Sequence, residues 1–173
     1  MADISEFKAQ LIGGGARPSQ FRVELTFPQY VSNGTLAGQQ SQFLCKAASL
    51  PASTIENIPV RYRGRPVNLA GEREFAPWTV SIYNDTNFNI RNAFESWSAG
   101  IQSYTQVEGR TNPSDYQVDL RVHQLDRSGS IIKSYRFYDA YPMIIGAIGL
   151  DFEATNVIEL FEVEFIYNFF EPL

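Results

Sequence analysis

Apolar side chains recur at every second position in segment after segment of this chain, and that period describes strands. The longest run is 157–170, where Phe161, Val163, Phe165, Tyr167 and Phe169 share one face. Glu162 and Glu164 fall on the other, together with Ile166 and Phe170. Successive strand side chains point to opposite faces, so this run lays an apolar and a polar surface on the two sides of a sheet. Burying the five same-face residues contributes roughly 10 kcal/mol before entropy, against net stabilities of about 5–15 kcal/mol. This strand therefore belongs at the centre. The same alternation runs through Phe21, Val23, Leu25 and Phe27, through Trp78, Val80 and Ile82, and through Val118, Leu120 and Val122. Asp126-Arg127-Ser128-Gly129 reads as a hairpin turn that brings 131–138 back, and 142–148 is apolar enough for a buried strand.

Helical spacing is rarer. Ile90, Phe94, Trp97 and Ile101 follow i, i+4, i+7, i+11 and predict a helix over 87–101, with Asn84, Asp85 and Thr86 offering caps. Its apolar face must cover a sheet or barrel. Ile4, Phe7, Leu11 and Ile12 predict a short amphipathic helix ahead of Gly13-Gly14-Gly15, making 1–15 either a docking arm or a frayed end. Asn33-Gly34 reads as a tight hairpin turn, because both residue types tolerate positive φ. About eight strands and one flanking helix in 173 residues describe a single mainly-β domain over 1–173, a barrel or sandwich.

Charge and reactive residues narrow the chemistry. Fourteen basic and nineteen acidic side chains give a net charge of −5, which argues against a dedicated nucleic-acid binder. Cys45 is the sole cysteine, so no intramolecular disulfide forms, and His123 is the sole histidine, so paired-imidazole metal sites are excluded. A Cys45–His123 dyad is arithmetically available, yet both lie in alternating strands where packing accounts for them. Glu162 and Glu164 mimic a carboxylate pair but read as a solvated sheet face. No catalytic, cofactor or metal site emerges, and the expectation is a protein that is not an enzyme. No basic start leads into an apolar run, and no run approaches the roughly 18 residues of a membrane span. The chain is expected to be made and folded in the cytosol.

The 43–83 stretch is different in kind. Pro51, Pro59, Pro66 and Pro77 punctuate it, each removing a backbone donor, and its tip reads Arg61-Tyr62-Arg63-Gly64-Arg65. A strand-rich arm with a basic, aromatic tip usually grips something. Nucleic acid and bare exposed surface are alternatives, but the final 23 residues carry six acids (Asp151, Glu153, Glu159, Glu162, Glu164, Glu171) and no base. A basic arm and an acidic end in one polypeptide suit head-to-tail self-association.

Motifs along this arm carry a resemblance. Lys46-Ala47-x-x-Leu50-Pro51, Ile58-Pro59-Val60, Gly71-x-Arg73-x-Phe75-x-x-Trp78-Thr79-Val80 and Asn84-Asp85 stand in order, with Arg17-Pro18-x-x-Phe21-x-Val23-Glu24 upstream and Phe161-Glu162-Val163 near the end. The series resembles the tail tube proteins of contractile-tailed bacteriophages; segment 28–41 is long for that pattern, and 126–156 has little that matches. The resemblance implies a fold shared with the ring protein of type VI secretion, and hexameric rings stacked into the inner tail tube. That tube would conduct DNA without specific binding, inside a contractile sheath, with baseplate and tail terminator proteins at its ends. It implies a virion protein assembled in the host cytoplasm. Arg61, Tyr62, Arg63, Arg65 and Arg73 are then candidates for ring stacking. Glu162 and Glu164 are candidates for the lumen, with the sheath-facing wall as the rival placement. Two other readings are the tube protein of a contractile injection or type VI-like secretion apparatus, and a β-sandwich carbohydrate-binding module using Trp78 or Tyr62.

Overall fold

The computed structural model describes residues 3–173. In chain order the elements are α1 (Ile4–Gln10), β1 (Phe21–Glu24), α2 (Gly34–Leu44), β2 (Cys45–Ala48), β3 (Thr54–Tyr62) and β4 (Arg65–Glu74). They continue with β5 (Trp78–Tyr83), α3 (Asn89–Ile101), β6 (Val118–Leu125), β7 (Ile131–Ile145), β8 (Leu160–Ile166) and β9 (Phe169–Pro172). The architecture is mainly β. Seven strands form one antiparallel sheet in the order β1-β6-β7-β8-β5-β2, with β9 added against β7, while β3 and β4 form a separate two-stranded unit.

The core sits where alternation is strongest. Trp78, Val80 and Ile82 of β5 lie directly opposite Phe165, Val163 and Phe161 of β8, and all six are buried. α3 covers this face with Ile90, Ala93, Phe94 and Trp97, and the Phe94 ring lies 5.8 Å from Phe165 and 6.3 Å from Phe161. The N-cap position falls at Phe88 (φ 55°), not at 84–86 as expected, and it offers no side-chain cap. Asp85 still reaches the helix start from three residues ahead, its Oδ1 accepting the Asn89 N–H at 3.0 Å. Asn84 does not cap: its amide donates to Glu159 instead, at 2.9 Å.

Three expectations are corrected. Asn33-Gly34 is not a hairpin turn but the start of α2, and α3 is accordingly not the only long helix. The buried face of α2 is built from small residues, Gly34, Ala37 and Ser41, while Leu36 and Phe43 face out, so hydrophobic periodicity does not register it. A Cβ on Gly38 would stand 2.8 Å from the Leu25 carbonyl oxygen, which shows how closely α2 approaches the chain after β1. The two strands expected at 131–138 and 142–148 are one strand, β7, and Met143 and Ile144 near its end are exposed rather than buried.

The single strand expected at 157–170 is instead two strands, β8 and β9, and starts only at Leu160, leaving 157–159 outside it. Four of its five same-face residues point inward, Phe161, Val163, Phe165 and Tyr167, and together contribute about 8 kcal/mol of burial. At Asn168 the phase flips. Phe169 turns outward and stacks on Tyr138 at 4.5 Å, while Phe170 turns inward among Phe75, Tyr135 and Phe137. The cause is a corner shared with β7, whose Asp139 adopts φ 55°. The Asn168 N–H donates to the Tyr138 carbonyl at 3.0 Å, and its side-chain amide donates to Asp139 Oδ2 at 2.9 Å. Both strands bend at one level, and β9 continues against the first half of β7.

Candidate assembly surfaces

β3 and β4 form a hairpin that makes its substantial contacts only within itself. Tyr62 and Arg65 close a two-residue turn in which Arg63 (φ 50°) and Gly64 (φ 82°) both take positive φ, the geometry that matches strand twist in tight hairpins. Pairing is continuous from Tyr62↔Arg65 to Asn57↔Ala70, then slips before Ile55↔Arg73. Gly71 lies at the slip, where a Cβ would meet the Glu56 carbonyl oxygen at 2.9 Å. Directly opposed residues share a face. One face therefore carries Ile58, Val60, Val67 and Leu69, each 45–52% exposed, and ends in Tyr62 and Arg65. Apolar side chains in that number, on a two-stranded unit lying away from the core, form a contiguous exposed apolar face and a candidate binding surface.

The register divides the candidate stacking residues. Arg65 and Tyr62 extend the apolar face, with the Arg63 guanidinium 5.3 Å from the Tyr62 ring centre. Arg61 lies opposite Pro66 on the reverse face. Arg73 is not part of the tip: it pairs with Ile55 at the hairpin base, roughly 25 Å away at strand rise, and its side chain bonds the Ser53 hydroxyl. From Asn57 to Gly71 there is no acidic residue, so the hairpin beyond its base is basic only.

Glu162 and Glu164 lie on the β8 face turned away from α3. Glu162 is exposed and accepts the Ser81 hydroxyl at 3.1 Å, whereas Glu164 is half-buried between Thr79 and Ile144. Outward residues of the other half of the sheet form a mixed-charge row, Glu24, Arg121, Arg136 and Glu171 across four strands, with Arg136 paired to Asp119.

A third surface is one that strand and helix periods do not point to. Residues 149–158 run outside any strand and are exposed throughout, including Leu150, Phe152, Val157 and Ile158. A small turn organises the start, with the Glu153 N–H donating to Asp151 Oδ1 at 2.9 Å. The signal in the sequence is four large apolar residues with no period of two or 3.6.

The residues weighed for chemistry are structural in their contacts. His123 is buried, with Nδ1 2.6 Å from the Ser134 hydroxyl and Nε2 3.4 Å from Glu24. Burial pushes the Cys45 thiol up to about 12, and its Sγ bonds the Ala47 carbonyl at 3.5 Å. Trp78 is 2% exposed and its indole N–H donates to the Ser49 carbonyl at 2.8 Å, so it offers no sugar-stacking platform. Among the described residues no group of three or more His, Cys, Asp or Glu side chains could hold a metal.

Comparison with known proteins gives this geometry its context. The family described as phage tail tube protein matches residues 16–171. The tail tube protein gp19 of Enterobacteria phage T4 is 32% identical over 161 residues, covering 92% of this chain and 93% of that one. Among solved structures, the tube-terminating cap of the anti-feeding prophage aligns with a TM-score of 0.66 at 18% identity, over 91% of this chain and 90% of the other. The sheath–tube complex of an extracellular contractile injection system aligns at 0.56 and 12%, over 100% and 99%. The structures share the fold, and the sequence matches carry the kinship: the chain belongs to the phage tail tube protein family.

Proposed function

We propose that the chain assembles into hexameric rings that stack into the inner tube of a contractile phage tail. The tube is a conduit for DNA during ejection, enclosed by a contractile sheath and bounded by baseplate and terminator proteins. The role is structural rather than enzymatic, in the virion tail, after assembly in the host cytoplasm. The β3–β4 hairpin is the observation that carries this reading. A two-stranded unit with one apolar face is marginal in water on its own, and its own chain leaves that face uncovered. A neighbouring copy supplies the cover, and Arg61, Tyr62, Arg63 and Arg65 reach the next ring, while Arg73 anchors the hairpin base.

Glu162 and Glu164 line the channel or its rim in this proposal. Acidic walls repel phosphate, whereas added cations would hold DNA in a salt-dependent way and slow its passage. Purified protein imaged by negative-stain microscopy tests the assembly: rings and tubes are expected, and a protein that stays monomeric at high concentration overturns it. Changing both glutamates to lysine tests the lumen: tubes that retain DNA at low salt and release it at high salt are expected. Tubes that bind no DNA and lose only sheath attachment put these residues on the outer wall. A second reading is the tube of a contractile injection apparatus, passing protein rather than DNA; the solved structures of such systems support the shared fold. The cargo found inside isolated tubes separates the two.

A further inference from the structure

We propose that the exposed loop 149–158 is the receptor on one copy for the β3–β4 hairpin of the next. This inference rests on the stacked-tube reading and names the two segments that meet. Each segment is an apolar strip carrying one sign of charge. The hairpin presents Ile58, Val60, Val67 and Leu69 with three arginines at its tip, and no acid between Asn57 and Gly71. The loop presents Leu150, Phe152, Val157 and Ile158 with Asp151 and Glu153, and no base.

Charge decides among the possible pairings. Hairpin against hairpin gathers six arginines, and loop against loop gathers carboxylates; both juxtapose like charges. Hairpin against loop buries apolar surface on both sides and neutralises both. That pairing is heterologous, since different surfaces meet, and a heterologous contact that does not close propagates as a stack. Reach agrees with it. The nine residues of β3 extend roughly 30 Å, which carries the tip well beyond its own sheet. Glu159 is outside the contact, because Asn84 holds its carboxylate.

Two reversed chains test the pairing. The first carries Arg61→Glu, Arg63→Glu and Arg65→Glu; the second carries Asp151→Lys and Glu153→Lys. All five positions are exposed, and unchanged melting curves verify each fold. Each chain alone is expected to form rings by sedimentation yet yield at least tenfold fewer tubes than wild type. Mixed, the glutamate tip meets the lysine loop and the arginine tip meets the acidic loop, so tubes return. Wild-type tube yield from the second chain alone, or a mixture that fails to assemble, overturns the pairing. Wild-type protein that forms neither rings nor tubes overturns the stacked-tube reading itself. As a direct measure of proximity, Arg63→Cys with Phe152→Cys in a Cys45→Ser background is expected to give disulfide-linked multimers on oxidation of tubes. Monomer bands alone contradict the contact.

Discussion

Trp97→Ala is the sharpest probe of how α3 holds the sheet. The side chain is fully buried, stacked on Phe94 at 6.1 Å with ring planes 9° apart, and meets Phe27 edge-on at 5.5 Å. Its indole N–H donates to the Tyr116 carbonyl at 2.8 Å. Truncating a buried large aromatic costs about 3–5 kcal/mol, and the carbonyl left without its donor adds about 1 kcal/mol. The expected loss of about 4–6 kcal/mol rivals the whole net stability of a marginal domain, about 5–15 kcal/mol. Urea unfolding followed by circular dichroism, at a dilution where the protein is monomeric, reads it as a midpoint lower by about 2 M with unchanged slope. Trp97→Phe keeps the stack and loses the hydrogen bond and part of the volume, so about 1–2 kcal/mol is expected. An alanine variant within about 1 kcal/mol of wild type, or a phenylalanine variant as damaged as the alanine one, refutes this account of the packing.

Phe170→Ala should cost about 3 kcal/mol and its neighbour Phe169→Ala about 1 kcal/mol, because only Phe170 points into the aromatic cluster; equal losses in chemical denaturation contradict the phase flip at Asn168. Burial disfavours the charged form of the Cys45 thiol, so at pH 8 its thiolate fraction lies about a thousandfold below that of an ordinary cysteine. Iodoacetamide should label the native protein slowly, faster with each added pH unit, and the urea-unfolded chain at the ordinary rate; rapid native labelling at pH 8 argues against the half-buried, desolvated placement of the thiol.

How much of the fold is legible in the sequence follows from where the hydrophobic contrast lies. β5, β8 and α3 bury large apolar residues at clean spacing, so strand, helix and inward face can all be assigned from the residue pattern alone. α2 escapes because close approach to Leu25 requires glycine and alanine, and residues that matter by being small leave no hydrophobic trace. The corner at Asp139 and Asn168 escapes because alternation counts along one strand, whereas the bend is held by bonds between two. Alternation also says little about the hairpin. Its arginines are legible as a group, but which face each occupies depends on the slip at Gly71, and that separates Arg73 from the tip. The loop at 149–158 has no period to detect; its exposure emerges only once the surrounding chain is placed.

The two prolines of the hairpin bear on how the chain resists aggregation. An uncovered apolar hairpin with open edges is the shape that seeds fibrous aggregates. Counting outward from the turn pair Tyr62↔Arg65, bonded and non-bonded pairs alternate, which puts Pro59 and Pro66 at non-bonded pairs with their nitrogens facing outward. One donor is thus absent from the free edge of each strand, on β3 and on β4 alike. A stray strand finds an interrupted ladder on both sides and pairs less readily along either. Growth through the backbone is hindered without any change to the apolar face. The same two residues make the uncovered hairpin a poorer template for fibres while leaving its apolar side chains untouched.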